Sequence, residues 1–128
     1  MSLSAKGRRT KGQVFERELA KLLGKYGFSA QRTPYSGAGT VKGDLIGRDM
    51  SACVPGYHLE AKRQETICMP DWLRQSYADA GHNIPTVVFR RSDKRDGDPL
   101  GKPHIVLPFE DWLADQAELR DLRRERAA

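Results

Sequence analysis

Asp44, Glu60 and Lys62 are the residues of this chain whose types and spacing invite chemistry. Asp44 heads an apolar run, Gly43-Asp44-Leu45-Ile46, and Glu60 and Lys62 lie in a second, Tyr57-His58-Leu59-Glu60-Ala61-Lys62. If both runs are strands of one sheet, two carboxylates and an ammonium converge on one point. Carboxylate oxygens are the hard ligands that Mg²⁺ takes. A cation held there offsets phosphate charge and makes a water nucleophilic. An ammonium beside that water can orient it and stabilise the pentacovalent state. A compact ammonium suits this better than a guanidinium, because it can sit beside the water and shift its pKa. The chemistry would be metal-assisted phosphodiester hydrolysis.

The motif needs its context. From 17 acids and eight lysines in 128 residues, about one acid-x-Lys triplet is expected by chance, and the chain holds one. On a strand, Glu60 and Lys62 leave the same face together with His58, while Leu59 and Ala61 leave the other. The bland alternative is a solvated ion pair on a sheet face. What gives the triplet weight is its position in the third expected strand, with Asp44 heading the second and an acid-bearing helix upstream.

The elements that must position these groups follow from periodicity. Phe15, Leu19, Leu22, Leu23 and Tyr26 fall on one helical stripe, which predicts a helix over 13–26 closed by Gly27. Glu16 lies about 100° from Phe15 on that helix, on the flank of the buried stripe, and Arg17 lies near 200°, toward solvent. Strands are expected over 28–33, 44–47, 57–63, 86–90 and 104–107. Pro34 and Ser36-Gly37-Ala38-Gly39 read as a loop that lacks the Gly-Lys-Ser/Thr ending of a phosphate-cradling loop. Pro70-Asp71 opens a second helix ending near Gly81, and Pro108 a third, with Trp72 and Trp112 serving either core or interface. The helix between the third and fourth strands favours a crossover to a parallel neighbour. The expected fold is α/β, a mixed central sheet of about five strands flanked by helices.

The length of 128 residues fits one domain. We expect a basic flexible arm at 1–12, a single domain over 13–119 and a basic tail at 120–128. The net charge of +5 is uneven. Lys6, Arg8, Arg9 and Lys11 give the first twelve residues +4, and residues 120–126 carry four arginines against two acids. Basic ends on a near-neutral body suit sequence-independent contact with nucleic-acid phosphates; the bland reading is solubilising ends. No apolar stretch approaches the ~20 residues of a membrane span, and no signal-peptide core is present, so no membrane partner and a cytoplasmic location are expected. Cys53 and Cys68 fit no zinc or redox spacing; a zinc site from Cys53, His58, Cys68 and His82 stands against two ordinary reduced thiols.

Taken together, the tract resembles the PD-(D/E)xK nuclease superfamily, most of all the archaeal-type Holliday junction resolvases and their phage relatives. The likeness rests on Gly12 to Leu19, Gly27-Phe28, Arg32-Thr33, Ser36-Gly37, Gly43 to Ile46 and Leu59 to Lys62, with Thr86 to Arg91 also fitting. It covers about residues 10–110. The residue before Asp44 is Gly43 where the superfamily often has proline. The resemblance implies a restriction-endonuclease-like fold. It implies Asp44 and Glu60 as metal ligands, Glu16 completing the acidic cluster, Lys62 as the catalytic lysine and Ser36 on a loop near the scissile bond. Arg17 and Arg32, with Arg8, Arg9 and Lys11 of the arm, would contact DNA.

The implied activity is a Mg²⁺-dependent endonuclease, with Mn²⁺ able to substitute, acting on branched double-stranded DNA in recombination and repair. A junction has two cuts to make, which implies a homodimer; a phage-encoded enzyme would work in the host cytoplasm. Two other readings stand beside this one. One is another nuclease on the same scaffold, a nickase or end-processing enzyme. The other is a silent DNA-binding module, against which the retention of Asp44, Glu60, Lys62 and Glu16 argues.

Overall fold

The computed structural model describes residues 5–32, 45–47, 52–91 and 97–128, with side chains from residue 11 onward. Three helices and five strands follow in the order α1 (Ala5–Lys25), β1 (Gln31–Arg32), β2 (Leu45–Ile46), β3 (Tyr57–Gln64), α2 (Met69–Ala80), β4 (Ile84–Arg91), β5 (His104–Val106) and α3 (Phe109–Ala127). A 3₁₀ turn, Pro99–Gly101, precedes β5. This is the expected α/β architecture.

The strands divide into two hydrogen-bonded sheets among the described residues. β1 and β2 form an antiparallel pair, and β3, β4 and β5 form a mixed sheet with β4 in the centre. β3 and β4 run parallel over eight residue pairs, from Tyr57 beside Ile84 to Gln64 beside Arg91. Parallel neighbours need a crossover, and α2 supplies it. Pro70 sits in the first turn of α2, where its missing N–H costs nothing, and Gly81 closes the helix at φ +60°.

Each face of the mixed sheet carries a helix. Leu59 of β3 and Val88 of β4 pack with Phe15 and Leu19 of α1, Leu45 of β2 and buried Cys53. The opposite face takes α2, whose Trp72, Ser76 and Ala80 are buried, with the Trp72 ring 6.3 Å from that of Phe89. Trp72 is therefore a core residue, while Trp112 is 43% exposed.

Two expected boundaries differ. Residues 5–12, read as a flexible arm, carry helical backbone as the first turns of α1. The apolar stripe starts only at Phe15, so periodicity has nothing to report upstream, yet lysine, arginine and alanine are good helix formers without one. Likewise, the tail expected from residue 120 continues α3 to Ala127. Its arginines and glutamate keep the helix going past the last apolar residue.

Candidate active site

β3 is the strand that builds the site. Its alternation places His58, Glu60 and Lys62 on the α2 side, and Leu59 and Ala61 on the α1 side. Glu60 is 2% exposed and His58 8%. A buried carboxylate is costly unless paired, and Glu60 is paired with His58. His58 Nε2 lies 2.8 Å from Glu60 Oε1, and Asp79 of α2 brings a second carboxyl close to both. His58, Glu60 and Asp79 each offer one ligand atom, and these atoms lie within 4.8 Å of one another.

Burial by itself pushes the Glu60 carboxyl up. The hydrogen bond and charge of His58, the charge of Lys62 and the hydrogen bond with Asp79 outweigh it, so the carboxyl is held below its ordinary value. The surroundings of Glu60 thus favour its charged form. Lys62, one pleat further along, donates from Nζ to Gln75 Oε1 at 2.9 Å. Gln75 and Asp79 are one turn apart on α2 and project toward the same strand.

One imidazole and two carboxylates fit a divalent cation. Carboxylate oxygens suit Mg²⁺ and Mn²⁺, and imidazole adds affinity for Mn²⁺ and later metals. Among the described residues this is the one such group. It leaves out both cysteines: Cys53 belongs to the core on the α1 side, where burial pushes its thiol up.

The other expected site residues have separate placements. Glu16 on α1 was expected to complete the acidic cluster. Its Oε2 accepts from Arg32 Nε at 2.6 Å, joining α1 to β1, while Asp44, the acid it was expected to join, lies outside the described residues. Arg17 is exposed on α1, and Lys11 is half-buried. Asp44 and Ser36 lie outside the described residues, as do the side chains of Arg8 and Arg9.

Asp79 is the residue that sequence reasoning missed. A signal was available: with Trp72 at zero, Ser76 and Ala80 fall near 40° and 80°, and Asp79 near 340°, beside the buried stripe. An acid at the edge of a buried stripe faces the strand that its helix packs on, and that strand carries His58 and Glu60.

Residues 7–126 match the family model described as "Phage putative PDDEXK endonuclease". No curated protein and no solved structure matches the chain. The family match runs through all five strands and nearly the whole of the three helices, with Glu60-Ala61-Lys62 inside it, and the chain therefore belongs to this family of phage PDDEXK endonucleases.

Proposed function

We propose that this endonuclease is Mg²⁺-dependent, accepts Mn²⁺, and cuts branched DNA as a homodimer, with the four-way junction as its preferred substrate. The observation that carries the catalytic part is Glu60, a carboxyl 2% exposed and 2.8 Å from His58, grouped with His58 and Asp79 and followed by Lys62. Such an arrangement costs stability, and proteins keep it mainly where it serves a cation or a reaction.

Glu60 and Asp79, with Asp44 and His58, would hold the cation. A divalent cation there neutralises phosphate charge and acidifies a water. Lys62 is held at Nζ by Gln75, and its remaining N–H groups would serve the attacking water and the phosphate oxygens. Glu16 sets the direction of Arg32 through their ion pair, which prepares the guanidinium for a backbone phosphate. Arg8, Arg9, Lys11 and Arg17 add contacts that carry affinity without sequence preference. Ser36 would act near the scissile bond, as the resemblance implies. The branched substrate and the paired active sites rest on the resemblance to junction resolvases. A nickase or end-processing role on the same scaffold is the second reading.

Cleavage of labelled four-way, nicked and linear duplex DNA by the purified protein with Mg²⁺ or Mn²⁺ tests this. The expected result is paired cuts at the junction, and with Asp44→Asn no cuts but junction binding nearly unchanged. No cleavage by the wild type with either metal would overturn the catalytic reading. Equal cutting of linear duplex would overturn the junction preference alone.

A further inference from the structure

The third helix is out of keeping with the rest of the fold. α3 runs for 19 residues and buries none of them. Phe109, Trp112, Leu113, Leu119 and Leu122 are between 37% and 69% exposed. The Phe109 and Trp112 rings are stacked, with centroids 6.0 Å apart and planes 16° from parallel. Isolated helices of this length are marginal in water, and most helical stability in proteins comes from packing an apolar face. Beside α3, Trp112, Ile105, Leu22 and Tyr26 line one open apolar hollow of about 480 Å³. Stacked aromatics beside an apolar hollow are the usual makings of an interface centre.

Charge says what covers this surface. The first half of α3, residues 109–118, holds Glu110, Asp111, Asp115 and Glu118 and no basic residue. The second half holds Arg120, Arg123, Arg124 and Arg126 against Asp121 and Glu125. The helix is therefore acidic at one end and basic at the other. A second α3 laid antiparallel sets acid on base at both ends, and a parallel one sets acid on acid. Antiparallel packing also opposes the helix dipoles favourably. DNA fits less well, because the acidic half would face phosphate and the apolar residues would have no partner. A two-fold axis through the middle of the pair makes both contacts the same contact.

We propose that α3 is a self-association surface, through which two copies of this chain pair by antiparallel α3 helices held by an apolar seam and reciprocal charge. This stands on α3 itself, whichever DNA the enzyme cuts, and it supplies a surface for the homodimer that junction cleavage calls for.

Sedimentation of the full chain tests it, using two charge-reversed variants. One carries Asp111→Lys, Asp115→Lys and Glu118→Lys, making both halves basic. The other carries Arg120→Glu, Arg123→Glu and Arg124→Glu, making both halves acidic. The wild type is expected to be a dimer, and each variant alone to associate on the order of 100-fold more weakly. An equimolar mixture is expected to recover the dimer, since each basic half then meets an acidic one. Circular dichroism at the wild-type helical level certifies that each variant is folded. Four outcomes overturn the proposal: a monomeric wild type at micromolar concentrations, folded variants that dimerise as the wild type does, variants that lose their fold, or a mixture that stays monomeric. A dimeric wild type that cuts no junction would overturn the substrate reading and leave this one standing.

Discussion

The two faces of the mixed sheet are built from alternate residues of the same strands and do opposite work. On the α1 face, Leu59 and Val88 join Phe15 and Leu19 in an apolar cluster, and the ion pairs of α1, Glu16 with Arg32 and Glu18 with Arg90, do not belong to that cluster. On the α2 face, one residue away in sequence, His58, Glu60 and Lys62 meet Asp79 and Gln75. Both faces are buried near the middle of β3: Leu59 is 8% exposed and Glu60 2%. Burial of Leu59 stabilises the fold, while burial of Glu60 demands compensation from His58 and Lys62. The strand is thus held in place from the apolar side and used from the polar side. Rigid support of this kind is what a reactive group needs to keep its geometry.

If that division is right, substitutions on the two faces separate activity from stability. The largest effect is expected from Glu60→Gln, which keeps the side-chain shape and removes the charge. Cleavage should fall on the order of 10³-fold, with DNA binding retained. Cleavage and binding measured on the same preparation would show it, and an active Glu60→Gln would break the assignment of the polar face. Next is Leu59→Ala on the other face, which deletes core contacts against Phe15 and Val88. Denaturant unfolding should report a loss of about 2–5 kcal/mol, with cleavage by the folded fraction unchanged. A folded fraction that no longer cuts would show that the faces are not independent.

Asp79→Asn is smaller. It keeps a hydrogen-bonding group beside Glu60 but weakens the donor set, so Mn²⁺ affinity should fall about tenfold or more. Metal titration in the absence of DNA measures this directly, and unchanged affinity would remove Asp79 from the site.

The smallest effect concerns pH. The folded Glu60 carboxyl titrates below its ordinary value of 4.5. Its contribution to stability is full above that value and is lost as pH falls through the folded one. In metal-free protein, unfolding followed from about pH 6 to pH 3 should show a loss that Glu60→Gln lacks. Equal slopes in the two proteins would mean that His58 and Lys62 do not hold the carboxylate ionised.

Much of this was legible from one sequence, because it rests on local periodicity. The order of helices and strands follows from apolar spacing and from proline and glycine punctuation, as at Pro70 and Gly81. The shared face of His58, Glu60 and Lys62 follows from the period of a strand. Other features depend on partners that periodicity does not name. The start of α1 at Ala5 lies upstream of any apolar stripe. The division of five strands into a pair and a triplet depends on which backbones meet. The ion pair of Glu16 with Arg32 joins residues 16 apart in the chain. A helical wheel places Glu16 on a flank but does not say which neighbour waits there.

By itself, the sequence determined that β3 has one apolar and one reactive face, since alternation is a property of the extended backbone. Tertiary structure alone decided which helix covers which face. With α2 on the reactive side, Gln75 became the partner of Lys62 and Asp79 a neighbour of Glu60, while Glu16 of α1 became the partner of Arg32. The physical reason is that a crossover helix buries its own apolar stripe first. Whichever polar side chains flank that stripe are carried to the sheet with it.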